Sequence, residues 1–175
     1  MQRYHGALNF LKDNPVPSNL FITGTINVDE TTNPVSNKVL DRAIVIDMSR
    51  VDLAGFLKSL EEQSPGLAAA RAAVEPVLLA VQTQLTEHGL GFGYRVAEEV
   101  VRYHAFAAVH LASTPDEITD GMMAQKVLVK LRGAERQRSL LSGLRKTLAG
   151  MRQSEDLLTR LTADLDEFGS FQATR

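Results

Sequence analysis

The chain has 175 residues, of which 44% are apolar and 23% are charged, and its formal net charge is −2. A chain of this length can bury roughly 70% of its unfolded surface, which is enough for a hydrophobic core. The composition is that of an ordinary globular protein, and it requires no nucleic-acid or membrane partner. Cysteine is absent, which excludes disulfides, thiolate metal sites and a cysteine nucleophile. Neither a signal peptide nor a span of about 18 apolar residues is found, so we expect a cytoplasmic protein.

The first fifty residues predict a short α/β part. Residues 20–25 follow a proline-containing turn and are rich in β-branched and aromatic types, which predicts a buried strand. Residues 36–41 predict a short helix capped by Ser36, and residues 43–47 predict a second strand. Two strands alone do not form a stable sheet. We therefore expect the other strands of this sheet to lie outside this chain.

From Val51 onward the patterns predict only helices. The predicted helices cover residues 51–63, 67–88 with a kink or break near Pro76, 94–113, and 115 to about 132, followed by two more that are marked by leucines at 140–148 and 157–165. On the helix at 94–113, one apolar face is defined by Val96, Val100, Tyr103, Ala107 and Leu111. The fold class expected is an α/β remnant, residues 1–50, followed by an all-α part, residues 51–175, and the chain is mostly helical overall.

Three features of the chain bear on nucleotide or metal binding. No lysine follows a glycine, so a G-x-x-x-x-G-K-[ST] phosphate loop is absent, and the glycines at 89, 91 and 93 predict a flexible hinge or linker. Asp29 and Glu30 follow an apolar run and could hold magnesium, or could belong to a solvated loop. Asn27 carries an amide that can donate to a phosphate oxygen and accept from a water, although it could also be a turn residue.

Four stretches resemble the C-terminal part of AAA+ ATPases of the McrB type. Residues 19–32 (NLFITGTINVDETT) and 36–43 (SNKVLDRA) resemble the segment from sensor 1 to the arginine finger. Residues 92–100 (FGYRVAEEV) resemble the start of the sensor 2 helix, and residues 125–133 (QKVLVKLRG) resemble a lid-helix motif. The resemblance extends over residues 17–171 and implies that residues 1–50 are the last strands of an AAA+ nucleotide domain, and residues 51–175 its helical lid.

The resemblance implies a role for three residues. Asn27 matches sensor 1, which orients the attacking water, and Arg42 matches the arginine finger, which reaches the nucleotide of a neighbouring subunit and accelerates related enzymes by roughly 10³ to 10⁵. Arg95 matches sensor 2, whose guanidinium contacts phosphate. Asp29 and Glu30 belong to a recurrent loop of the family and not to its magnesium site. The alternative for Arg42 is an ordinary surface arginine.

The function implied is ATP or GTP hydrolysis with magnesium in an oligomeric ring that powers DNA restriction or remodelling. The phosphate loop and the magnesium-binding strand of this family precede sensor 1, so this chain alone is not expected to bind nucleotide tightly or to hydrolyse it. The partners implied are further copies of the chain or the upstream half of the same ATPase, a nuclease subunit, and DNA through that subunit; no membrane partner is expected. Val129 departs from the family, which often has proline there.

Two other functions are compatible with the sequence. The chain could be a non-enzymatic helical interaction module that keeps an AAA+-derived fold. It could also be a DNA-binding module that uses the basic stripe, which we define as the cations between residues 126 and 152: Lys126, Lys130, Arg132, Arg136, Arg138, Arg145, Lys146 and Arg152. Aromatic residues that would stack on bases are absent from this stripe, which favours a solvated helix face or a subunit contact. The histidines at 88, 104 and 110 are too scattered for a zinc site, so no metal site is expected.

Overall fold

A computed structural model of the chain describes residues 19–25, 36–46 and 50–174. The chain divides into two compact units, Met1–Ile46 and Asp47–Arg175. The described residues are mostly helical, with seven α-helices and one small two-stranded sheet. The expected identity of the two parts, as the last strands and the lid of a nucleotide domain, stays a prediction.

In the first unit, the described residues contain one short helix, α1 (Asn37–Leu40). Its backbone bonds continue into the following turn, where the Asp41 amide donates to the Asn37 carbonyl at 2.8 Å and the Arg42 amide donates to the Val39 carbonyl at 3.1 Å. Ser36 occupies the N-cap position, although its side chain makes no capping hydrogen bond. The short helix predicted at residues 36–41 is therefore confirmed.

The two strands predicted in this unit are not formed in the described residues. Residues 20–25 and 43–46 have irregular backbone, and their apolar side chains are exposed: Phe21 is 89% exposed and Ile44 is 95% exposed. The prediction was made from side-chain types, and it required further strands from outside this chain to complete the sheet. A strand forms only where neighbouring strands supply hydrogen-bond partners for its backbone, and an isolated pair does not offset its own ordering entropy.

The second unit contains the remaining regular elements. Its helices are α2 (Leu53–Gln63), α3 (Ala68–Glu87), α4 (Tyr94–His110), α5 (Pro115–Met122), α6 (Arg138–Thr147) and α7 (Arg152–Phe168), and its strands are β1 (Arg132–Ala134) and β2 (Ser170–Gln172). Helix α3 runs without a break through Pro76. The proline removes one backbone bond, but Val74, Leu78 and Val81 are fully buried on either side of it, and this packing holds the helix together.

The helix predicted from residue 115 begins as expected and then changes its winding. Thr114 and Glu117 form a capping box: the Glu117 amide donates to Thr114 Oγ1 at 3.3 Å, and the Thr114 amide donates to Glu117 Oε2 at 2.7 Å. After α5 the chain forms a π-helical segment, Met123–Val127, and a 3₁₀ turn, Leu128–Lys130. The predicted single helix to residue 132 is therefore three consecutive helical forms.

Strands β1 and β2 pair antiparallel, with Gly133 opposite Phe171. This sheet was not predicted from the sequence, because each strand has only three residues. The Phe171 ring is 3% exposed, and a Cβ atom at position 133 would lie 2.9 Å from Phe171 Cζ. Glycine at 133 thus leaves room for the ring that joins the C-terminal end of the chain to the core.

The helices of the second unit enclose one apolar core. The largest fully buried side chains come from most of these helices and the segment after α5: Leu57, Leu78, Leu85, Met123, Leu128, Leu140, Leu141, Leu144, Leu148, Leu158, Leu161 and Leu165. The buried face of α4 agrees with the predicted apolar face only in part. Val100 and Ala107 are buried as expected, but Tyr103 is 43% exposed and Leu111 is 45% exposed. No helix in the described part of the chain is long and apolar enough to cross a membrane.

Candidate functional site

The predicted site residues fall in different parts of the chain. Asn27, Asp29 and Glu30 lie outside the described residues. Arg42 lies in the turn that follows α1, and its side chain is exposed. Arg95 is the second residue of α4, and its side chain is also exposed. Arg42 and Arg95 belong to different units, so each is considered with its own neighbours.

The connector before α4 is held by the side chain of Gln82. Gln82 Nε2 donates to the Phe92 carbonyl at 3.1 Å, and the Phe92 amide donates to Gln82 Oε1 at 2.9 Å. The amide side chain thereby pairs with one backbone residue as a neighbouring strand would. A Cβ atom at position 91 would lie 3.0 Å from both Gln82 Nε2 and Thr86 Oγ1, so glycine allows this close approach. The linker predicted at 89–93 is therefore fastened at Phe92, not free to act as a hinge there.

The first turn of α4 is also attached to α2. The rings of Phe56 and Tyr94 pack with their centroids 4.8 Å apart. The Asp52 amide donates to the Tyr94 hydroxyl at 3.1 Å. Since Tyr94 precedes Arg95, these contacts and the Gln82 clamp position the Arg95 backbone, while its guanidinium extends into solvent.

Arg95 belongs to a group of charged residues that we call the Glu99 cluster: Arg95, Glu99, Lys126 and Lys130. Lys126 Nζ lies 2.8 Å from Glu99 Oε2. Arg95 and Glu99 are four residues apart on α4, which places them on one face of the helix. The hydrogen bond from Lys126 lowers the pKa of Glu99 most, the charge of Lys126 adds to it, and the charges of Lys130 and Arg95 lower it further. Lys126 thus contacts the Glu99 carboxylate, and Lys130 and Arg95 act on it through their charges.

The two lysines of the cluster are presented by the irregular segment after α5. Met123 and Val127 in the π-helical part, and Leu128 after it, are buried in the core. π-helical turns are uncommon and occur frequently at functional sites. The Glu99 cluster therefore joins the two motifs, residues 92–100 and 125–133, that the sequence marked separately. In the sequence, Lys126 and Lys130 belong both to the lid-helix motif and to the basic stripe.

The helical unit is also the part of the chain that comparison with known proteins identifies. The model of the family described as "Domain of unknown function (DUF8727)" matches residues 49–171. The chain belongs to this family. No curated protein and no solved structure matches it.

One buried carboxylate in the DUF8727 domain escaped the sequence analysis. Asp120 in α5 is 5% exposed and accepts three hydrogen bonds at the start of α7: from the Gln153 amide at 2.7 Å, the Ser154 amide at 2.9 Å and the Ser154 hydroxyl at 2.7 Å. It therefore caps one helix from another. Asp120 and Ser154 are more than thirty residues apart in the sequence. Rules that predict helix caps from neighbouring residues therefore do not identify Asp120.

Two histidines and one arginine among the other candidates of the DUF8727 domain lie in the core, in a ring contact or in ion pairs. His104 is 3% exposed in α4, and neither ring nitrogen has a hydrogen-bond partner among the described residues. His110 packs against Phe106 with ring centroids 4.4 Å apart. In the basic stripe, Arg138 is paired with Glu135 and Asp166, and these hydrogen bonds raise its pKa further. In residues 50–174 and the shorter described stretches, no three His, Cys, Asp or Glu side chains group as a metal site.

Proposed function

We propose that the chain is the C-terminal portion of a McrB-like AAA+ NTPase, and that it contributes sensor and arginine-finger residues to nucleotide hydrolysis in an oligomeric ring that powers DNA restriction or remodelling. The observation that carries the proposal is the contact between the two motifs of the helical unit. Residues 92–100 and 125–133 each resemble a lid motif of that family, and Lys126 from one pairs with Glu99 from the other at 2.8 Å.

Arg95 has the properties that the sensor 2 role requires. Its backbone is held through Phe92 and Tyr94, and its exposed guanidinium lies in a region of positive charge. A guanidinium can form two parallel hydrogen bonds to a phosphate, and it stays charged at all physiological pH values. Because the backbone of Arg95 is held by these contacts, a phosphate bound to its guanidinium would move the helical lid together with Arg95.

The first unit supports the proposal through its exposed apolar residues. Residues 20–22 and 44–46 are near-continuous apolar runs, which is the pattern of strands buried on both faces of an α/β sheet. In the described structure Phe21, Ile22 and Ile44 are at least 88% exposed. A sheet supplied by residues outside this chain would bury them. It would also bring Asn27 to the end of one strand and Arg42 to the beginning of the other.

The nucleotide implied by the proposal is ATP or GTP with magnesium, which supplies the γ-phosphoryl group for hydrolysis. The cationic surface around Arg95 fits the phosphates of such a ligand. The described residues offer no cluster of metal ligands. In this proposal the chain therefore supplies contacts to phosphate, Asn27 orients the attacking water, and Arg42 reaches the phosphates bound by the neighbouring subunit.

The test is nucleotide hydrolysis by the chain produced together with the protein segment encoded immediately upstream. Hydrolysis should appear in the joined protein, and Arg42→Ala should abolish it while nucleotide binding is retained, because the finger acts on a neighbouring site. Arg50→Ala, which removes another exposed arginine, is the matched control and should leave the rate unchanged. Full hydrolysis by the Arg42→Ala protein would show that the finger assignment is wrong.

A second candidate function is favoured by the extent of the family match. The DUF8727 model matches residues 49–171, which is the helical unit without the predicted strands. This would be expected if the helical unit is an interaction or DNA-binding module in its own right. That candidate predicts no nucleotide binding even with the upstream segment present. Its DNA-binding form further predicts salt-sensitive DNA binding by the isolated chain through the basic stripe.

A further inference from the structure

The charges of the Glu99 cluster do not balance. Glu99 is paired with Lys126 at 2.8 Å, and the neighbouring acid Glu98 is paired with Arg102 at 2.8 Å. Within the part of the chain that the structure describes, neither Arg95 nor Lys130 forms an ion pair with a carboxylate oxygen within 4 Å. The three cations therefore share a single nearby carboxylate, and the cluster keeps a positive charge that attracts anions.

The cations of the cluster are carried by two well-held elements. Arg95 follows the residues that attach α4 to α2 and α3, namely Phe92 and Tyr94. Lys126 lies between two core residues, Met123, which is 0% exposed, and Val127, which is 3% exposed. A binding site whose backbone is already ordered loses less entropy when a ligand arrives, so such an arrangement favours binding.

We propose that Arg95, Lys126 and Lys130 form one binding site for a polyphosphate anion, and that Glu99 is a built-in competitor of that anion. In the free protein Glu99 holds Lys126. When the anion binds, its oxygens take the place of the carboxylate, and the pair between Glu99 and Lys126 opens. The inference rests on the proposed function for the identity of the anion, which would be the phosphate end of the nucleotide.

The compactness of the cluster selects this class of ligand. Arg95 and Glu99 are one helical turn apart, at roughly 5–6 Å between their Cβ atoms, and Lys126 reaches the same carboxylate. This is the size of one or two phosphate groups. A nucleic-acid strand would instead engage a longer track of cations, and bases would require aromatic side chains on which to stack.

The competitor role makes a prediction opposite to that of a structural ion pair. Glu99 carries the same sign of charge as the ligand, so its removal should improve anion binding. If Glu99 only stabilised the fold and the three cations formed no anion site, its removal would leave tripolyphosphate binding unchanged or weaken it. The two substitutions to compare are therefore Glu99→Gln, which removes the competing charge, and Lys130→Gln, which removes an attracting one.

The experiment is a calorimetric titration of the 175-residue chain with inorganic tripolyphosphate at low salt. Relative to the unchanged chain, Glu99→Gln should bind about twofold to fivefold more tightly, and Lys130→Gln should bind weaker by a similar factor, as expected for single exposed charges. Lys146→Gln, an exposed lysine on α6, is the matched control and should bind as the unchanged chain does. Circular dichroism of each variant verifies that it is folded.

Two results would overturn the inference. Glu99→Gln could bind tripolyphosphate no more tightly than the unchanged chain, or Lys146→Gln could weaken binding as much as Lys130→Gln does, which would indicate diffuse attraction. Neither result depends on hydrolysis, since the upstream segment is not needed for the titration. If the joined protein hydrolyses no nucleotide while the Glu99→Gln effect is present, the proposed function fails and the anion site stands.

Discussion

Removal of the Asp120 carboxylate should destabilise the helical unit more than loss of any exposed acid. Asp120 accepts three hydrogen bonds at the start of α7, and its partner Ser154 is 0% exposed. In Asp120→Ala the two amides and the hydroxyl lose a charged acceptor. Hydrogen bonds to a charged group contribute about 1.5–3 kcal/mol each, and part of this loss is recovered if water enters. We expect a net cost of about 4 kcal/mol in the free energy of unfolding.

The assay is urea unfolding followed by far-ultraviolet circular dichroism, with a thermal melt in parallel. A loss of this size corresponds to a fall in Tm of about 8–16 °C for a protein of this length. Asp116→Ala is the control, because Asp116 is an exposed acid in the first turn of the same helix and should cost only about 0.3–1 kcal/mol. If Asp120→Ala costs no more than Asp116→Ala, the capping role assigned to Asp120 is incorrect.

Three further predictions concern the same unit. Gly133→Ala should lower the midpoint of urea unfolding, because its Cβ would lie 2.9 Å from the buried Phe171 ring, and an unchanged midpoint would contradict that contact. His104→Leu should keep or raise the free energy of unfolding by up to about 1 kcal/mol, since it removes a buried polar ring that lacks partners among the described residues; a loss above about 2 kcal/mol would reveal a partner. The Thr114 amide and hydroxyl lower the pKa of Glu117 from 4.5, so stability from this carboxylate is complete above about pH 4.5 and is lost as the pH falls. Glu117→Gln should therefore flatten the acid side of a plot of stability against pH, and identical slopes would refute the cause assigned.

Features that depend on neighbouring residues could be predicted from the sequence. The helix start at Pro115 was recognisable from Thr114, Pro115 and the acids after them, and the structure forms the capping box there. The leucine spacing after residue 140 likewise indicated α6 and α7, whose leucines are buried except for the partly exposed Leu157. In each case the signal lies in the spacing of residues within about four positions, so the sequence itself displays it.

Features that depend on distant residues could not be predicted. Asp120 caps a helix that begins thirty-two residues later. The side chain of Gln82 forms two hydrogen bonds with the backbone of Phe92, ten residues away. Neither arrangement leaves a periodic pattern. At residues 20–25 and 43–46 the local composition does favour strands. No strand forms there, because the described residues supply no partner strands for them.

The candidate site was predicted in part. Arg95 was identified through the resemblance of its motif, but its neighbours Lys126 and Lys130 could not be assigned to it, because the approach of α4 to the π-helical segment is a tertiary contact. Arg42 was predicted between a helix and a strand, and its described surroundings are a helix end and a turn. The roles of Arg42 and Asn27 stay predictions.

We propose above that this chain is part of a ring ATPase in which Asn27 serves its own subunit and Arg42 serves the next one. The most direct test is the hydrolysis rate of the protein joined to its upstream segment, measured for Asn27→Ala, for Arg42→Ala and for a mixture of the two. Each variant alone should be inactive. In a randomly mixed head-to-tail ring about a quarter of the interfaces regain both residues, so the mixture should recover activity. A mixture as inactive as its parts would contradict the claim.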